Sequence, residues 1–219
     1  SEMCIRDRVD AESLFKEYLH HGFYPFFLEH TNYSENLLKT MNMMIEVDVL
    51  LIRQIELKYL TKIKKLYYLL ALETGKSPNV SKLAETIDTS RATVMNYIKY
   101  LADARLLNII YHQGSVFPKK PAMVVVNNPN LIYTVYPRNF GDREILNSFF
   151  INQLRKDHTV NKERATDAYR IDGETSVRIS AEGEGESRAR GKKNYYTASS
   201  GLVVGKGRKI PLWLFGFLY

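Results

Sequence analysis

The chain has 219 residues, enough for one large domain or two to three small ones, and its 45% hydrophobic content is ordinary for a globular protein. No run approaches the roughly 18 apolar residues of a membrane span, no apolar signal segment opens the chain, and the one cysteine, Cys4, excludes an internal disulfide and fits a reducing cytoplasm. The net charge of +7 favours an anionic partner, nucleic acid first, although charge bears on association and not on fold.

Residues 1–8, SEMCIRDR, read as foreign. Glu2-Met-Cys-Ile-Arg-Asp back-translates to GAG ATG TGT ATA AGA GAC, which resembles a transposon end used to fragment DNA for sequencing. An adapter-derived start is the expectation, with a genuine short arm as the alternative. Residues 9–60 read as a helical region. Ala11 to Leu19 is expected as a helix with Leu14, Phe15, Tyr18 and Leu19 on one face, ended by Gly22. Phe23-Tyr-Pro-Phe-Phe27 is an aromatic turn expected to be buried, and Tyr33 to Tyr59 reads as one broken helix or two, with Asp48 and Arg53 on the polar side. His20 and His21 are adjacent, so on a helix they point about 100° apart and make a poor metal pair. With no cysteine cluster beside them, no structural zinc site is expected.

Residues 61–127 read as a winged helix-turn-helix. Lys62 to Glu73 carries Ile63, Leu66, Tyr67 and Leu70 at i, i+3, i+4 and i+7. Asn79 to Ile87 is a short amphipathic helix, Asp88-Thr-Ser90 a tight turn with Ser90 placed as a cap, and Arg91 to Ala104 a second helix. Val94, Ile98 and Leu101 form its buried stripe, which leaves Ala92, Thr93, Asn96 and Lys99 facing outward. Leu106 to Tyr111 and Ala122 to Val126, joined through His112-Gln-Gly-Ser115, suit a two-stranded wing. Such a domain places its second helix in a DNA major groove. Asn96 suits adenine, Arg91 and Lys99 suit phosphate or guanine, and Thr93 suits the backbone. The bland alternative is a winged helix that only packs against protein.

Residues 128–219 read as a small mixed α/β domain, so the whole chain is expected to be α+β. Pro129 to Tyr136 is a short apolar segment. Asp142 is expected to cap a helix reaching Lys156, and Thr166 to Ile171 pairs with Thr175 to Ser180 around Asp172-Gly173. Residues 181–193 form a Gly- and charge-rich loop. Asn194 to Val204 and Lys209 to Tyr219 read as a strand, a turn and a final strand. Basic residues cluster at Arg53, Lys58, Lys62, Lys64 and Lys65, and again from Arg188 to Lys209, where Glu182, Glu184 and Glu186 directly precede them.

The order Phe15-x-x-Tyr18-Leu19, Gly22-Phe-Tyr-Pro25-Phe-Phe, Tyr33, Glu46-x-Asp48, Pro78-Asn-Val-Ser-Lys-Leu, Leu107 and the close Lys209-Ile-Pro-Leu-Trp-Leu-Phe-Gly-Phe-Leu-Tyr219 resembles the C-terminal half of prokaryotic AAA+-type ATP-binding proteins that carry a domain of unknown function. The resemblance implies an N-terminal P-loop ATPase, a helical lid, a winged helix and a final domain similar to restriction-endonuclease-like nucleases. The ATPase core is expected to lie outside this chain, since no G-x-x-x-x-G-K-[ST] occurs in it. ATP and Mg²⁺ are therefore expected only for that missing domain. Asp48 and Arg53 would serve as contacts to it, or form an ordinary surface pair.

A nuclease of that type needs an acid on one strand and Glu/Asp-x-Lys on the next, so that alternation brings carboxylates and lysine onto one face around Mg²⁺. Glu144 would be the helical acid and Asp167 or Asp172 the first strand acid. Arg178 stands where the second acid should be and Ser180 where the lysine should be, so a cation replaces a group that must hold a cation. The expectation is a degenerate nuclease-like domain with no catalytic residues, and ordinary helix-end and turn roles for Glu144, Asp167 and Asp172. Double-stranded DNA and the missing ATPase domain are the expected partners. A protein-docking module and a Mg²⁺-dependent nuclease remain as alternatives.

Overall fold

Helices come first along the chain. The computed structural model describes residues 10–28, 32–51, 54–135, 141–184 and 194–218. Helix α1 (Ala11–Glu17) starts where the Asp10 side chain accepts from the Ser13 N–H, and it loosens into a π-helical turn over Tyr18–Gly22. Phe15 and Leu19 face the core, but Leu14 is exposed, so the apolar face is narrower than the pattern suggests. Helix α2 (Tyr33–Met44) likewise continues as a π-helical stretch over Ile45–Leu51, which answers the choice between one broken helix and two. Within Phe23 to Phe27, Tyr24 packs against the core only in part.

Helix α3 (Leu60–Leu72) buries Ile63, Leu66, Tyr67 and Leu70, as their spacing requires. Helices α4 (Val80–Thr86) and α5 (Arg91–Asp103) pack on it, each with a side-chain cap: Asn79 accepts from Lys82 N–H at 3.1 Å and Ser90 from Thr93 N–H at 3.0 Å. Asp88 takes a left-handed φ of 49° in the turn between them. Its conformation is held by α3, whose Lys62 reaches the Asp88 carbonyl and carboxylate while Lys65 reaches the Thr86 carbonyl at 2.9 Å. Strands β1 (Leu107–Ile110) and β2 (Met123–Val126) pair antiparallel, Leu107 opposite Val126 and Ile110 opposite Met123. A bridge from Lys76 to Val124 adds the connection before α4 to this sheet. The winged helix is thus complete, but its wing runs on to Pro121 and not merely from His112 to Ser115.

Helix α6 (Pro129–Val135) occupies the apolar segment after the wing, and helix α7 (Asp142–Leu154) follows with Gly141, not Asp142, at its N-cap. A five-stranded sheet closes the chain: β3 (Val160–Lys162), β4 (Ala168–Ile171), β5 (Thr175–Ser180), β6 (Tyr195–Ser199) and β7 (Lys209–Pro211), in that spatial order. The first three strands are antiparallel and β5, β6 and β7 are parallel. Strand β3 has no counterpart in the sequence reading. The final strand expected over residues 209–219 stops at Pro211, and a 3₁₀ turn, Leu212–Phe217, replaces the rest of it. The fold is α+β, and one continuous core runs from Phe15 to Leu212.

Two joints fix these parts together. Asn130, 1% exposed, lies in the first turn of α6, faces the π-helical end of α1 and uses all of its side-chain hydrogen-bonding capacity. Its amide donates to the Tyr18 and Leu19 carbonyls, and its oxygen accepts from Phe23 N–H and the Tyr33 hydroxyl. It thereby supplies donors to carbonyls at a helix end, where intrahelical donors run out. The second joint is at the wing. Tyr111 bridges Asn161 of the sheet, Lys162 N–H donates to the Tyr111 carbonyl at 2.9 Å, and the His112 ring lies 2.8 Å from the Lys162 carbonyl.

Candidate nucleic-acid interface

Residues 61–127 carry ten Lys and Arg against four Asp and Glu, which puts a net +6 of the chain's +7 on the winged helix. Ion pairing consumes part of it. Lys64 meets Glu46 at 2.7 Å, Lys62 meets Asp88 at 3.2 Å and Lys99 meets Asp103 at 2.9 Å. The basic run from Lys58 to Lys65 is therefore largely spent on the fold: Lys62 and Lys65 hold the α4–α5 turn, Lys64 pairs with Glu46 and Lys58 pairs with Glu56. Lys76, Lys82, Arg91, Arg105, Lys119 and Lys120 are exposed, and none pairs with an acid among the described residues.

The four residues assigned to groove contact differ in their freedom. Asn96 and Arg91 are exposed on α5, with Val94, Ile98 and Leu101 fully buried behind them. Thr93 is half-buried, and its hydroxyl lies 2.8 Å from Ser90 Oγ, so it belongs to the cap. Lys99 bends along the helix to both oxygens of Asp103. At the wing, Val116 and Phe117 are exposed beside Lys119 and Lys120. The sequence reading missed these tip residues because it ended the turn at Ser115. Asp48 is half-exposed on the π-helical stretch, whereas Arg53 and the basic residues 188–193 lie outside the described residues.

The positions compared with a nuclease make the following contacts. Glu144 on α7 turns toward Gly75 and Gly141. The residue beside it, Arg143, swings about 100° around the helix and meets Asp167. Asp167 also binds Lys162 at 2.7 Å. Burial alone would push the Asp167 carboxyl up, but the hydrogen bond and charge of Lys162, with the charges of Arg143 and Arg178, hold it below its ordinary value. Asp172 lies at the far end of the hairpin, where it accepts from Thr159 N–H at 2.8 Å and lies 2.6 Å from the His158 ring, and these contacts lower its carboxyl. Asp172 thus makes turn contacts at the β4–β5 corner, with a left-handed φ of 50°. Arg178 stands opposite Ala168 and binds Glu184 at 3.1 Å. Arg143, Lys162 and Glu184 complete this cluster and were not assigned to it from sequence: a search for acids on a helix passes over the cation one residue away, and Glu184 was read only as a neighbour of the second basic run.

The family model described as Domain of unknown function (DUF8612) matches residues 12–121. The chain belongs to that family. Its matched region holds α1 to β1 and includes Arg91, Thr93, Asn96 and Lys99, while Glu144, Asp167, Asp172 and Arg178 lie beyond it. The Uncharacterized protein MJ1637 of Methanocaldococcus jannaschii is 34% identical over 106 residues, or 48% of this chain. The match spans 22% of the length of that curated relative. No solved structure matches. No helix among the described residues is long and apolar enough to cross a membrane.

Proposed function

We propose that the chain is a non-catalytic portion of a longer AAA+-type ATP-binding protein and binds duplex DNA through its winged helix. The observation that carries this reading is the concentration of net charge, +6, on the one domain whose second helix exposes Arg91 and Asn96. Phosphate contacts from Lys and Arg supply most of such affinity and make it salt-dependent, while an exposed Asn in the groove reads adenine. Lys82 on α4, Arg91 on α5, and Lys119 and Lys120 at the wing are the exposed cations available for such contacts.

Fluorescence anisotropy with a labelled duplex across a salt series tests this. Binding is expected to weaken steeply with salt. Arg91→Ala is expected to flatten the log–log slope by about 0.9, and Asn96→Ala to relax sequence preference. A parent chain that ignores duplex at low salt removes the reading. The rival is a module that docks the winged helix on its own ATPase domain. The commitment of Lys62, Lys64, Lys65 and Lys99 to internal partners favours it, and retention of this chain by a restored N-terminal half is its test. A Mg²⁺-dependent nuclease has least support, because Arg143, Lys162 and Arg178 gather where carboxylates would have to meet a cation.

A further inference from the structure

Three cations share two carboxylates where α7 begins against the β4–β5 hairpin. Arg143 meets Asp167 and, at 3.4 Å, Glu184. Arg178 meets Glu184 at 3.1 Å, and Lys162 meets Asp167 at 2.7 Å with its ammonium 4.5 Å from the centre of the Tyr169 ring. Both acids are already taken twice, so among the described residues the cluster keeps one positive charge in excess. The surplus is not spread in open water: the Arg178 and Lys162 side chains are only 13% and 15% exposed. Charge removed from water without a full counter-charge is costly, and a guanidinium does not relieve it by losing a proton. Against burial, Lys162, Arg143 and Arg178 hold the Asp167 carboxyl below its ordinary value.

Donor capacity points the same way. A guanidinium has five N–H donors, and Arg178 directs one nitrogen to one carboxylate oxygen. Arg143, at 40% exposure, is the open side of the cluster, and Asp167 and Glu184 flank it. A tetrahedral oxyanion is the chemistry that meets a fork of arginine donors and a lysine at once. We propose that Arg143, Lys162 and Arg178 form an anion site that takes a phosphate group. Its residues come from α7, β3 and β5 and none from α5, and it does not depend on the DNA reading. It is, however, joined to the wing, because the backbone of Lys162 bonds Tyr111 and His112. A phosphodiester of a duplex lying along the wing and a free phosphate are both sources of that group.

Two probes on the full chain separate them. Inorganic phosphate titrated calorimetrically at low ionic strength is expected to bind saturably. Arg143→Gln should weaken it about tenfold or more, the share of a charge-assisted bond. Asp167→Asn should tighten it, because it adds to the surplus charge, whereas a purely structural network predicts only lower stability. Should Arg143→Gln not fold, Asp167→Asn carries the test alone. With a labelled duplex, a salt slope flattened by about 0.9 in Arg143→Gln identifies the nucleic-acid backbone as the source, and an unchanged slope beside lost phosphate binding identifies free phosphate. The proposal is overturned when both probes treat Arg143→Gln and Asp167→Asn, where folded, like the parent. A parent that binds phosphate and ignores duplex ends the DNA reading and leaves this one intact.

Discussion

Two buried polar side chains in the same layer meet opposite fates. Asn130 spends four hydrogen bonds on the end of α1 and the residues after it, so a hydrocarbon in its place leaves at least two carbonyls and an N–H without a partner. Each such group costs about 1–3 kcal/mol when buried. Asn130→Leu is expected to lose about 3 kcal/mol or more, read as a lower urea midpoint at unchanged slope. A midpoint close to the parent's would mean that water replaces the amide. The Tyr67 hydroxyl, by contrast, is buried with no hydrogen-bond partner, and burial pushes its ionisation well up. Its ring fills the core and its oxygen only loses hydration. Tyr67→Phe is expected to raise stability by about 1 kcal/mol, and a drop in thermal midpoint would show a partner for that oxygen. Neither residue announces its role in the sequence. Tyr67 sits in a helical stripe that says buried and nothing about its hydroxyl, and Asn130 follows a proline in a segment with no readable period.

At the scale of elements, legibility follows length and contrast. Helix α5 is readable because it is 13 residues long, has a serine cap and sets a narrow apolar stripe against polar neighbours. Helix α6 is seven residues and buries Pro129, Asn130, Leu131 and Ile132 in succession, so no polar face reveals its turn. Strand β3 is three residues of unremarkable composition, visible only through its pairing with β4 and Tyr111. The run after Pro211 is apolar throughout, and such a run does not distinguish a strand from a helical turn. At the interface the exposed residues of α5 were legible, but the partner that ties one of them was not: Asp103 lies one turn beyond Lys99 and holds it against the helix. A lysine preceding its acid by four residues is the weaker order of an exchange worth a few tenths of a kcal/mol. Asp103→Asn should therefore leave α5 folded, free Lys99 and steepen the salt dependence of duplex binding by about 0.9 in log–log slope. An unchanged slope would place Lys99 off the DNA.

Over the whole molecule, the three regions expected from sequence share one hydrophobic interior. Ser148 of α7 donates to the Val126 carbonyl at 2.8 Å, Arg155 to the Ile109 carbonyl at 2.8 Å and Thr74 Oγ1 accepts from Val126 N–H, so the wing strands are held from the helix before them and from the domain after them. Arg155 does this from an exposed position at the end of α7. The wing is hydrogen-bonded on both sides, and the backbone of Lys162 joins it to the cluster of Arg143, Lys162 and Arg178. The expectation is that the winged helix and the sheet unfold together. The chain has one tryptophan, Trp213, and it lies after β7, with its indole N–H on the Leu202 carbonyl at 3.3 Å. Tryptophan fluorescence therefore reports the C-terminal sheet, whereas helical circular dichroism is dominated by α1 to α5 and α7. If the regions are one cooperative unit, urea curves followed by the two signals coincide and give one midpoint. Separate midpoints, with helix signal persisting after tryptophan has become exposed, would make the winged helix autonomous and remove the argument that the wing and the sheet present their charges together.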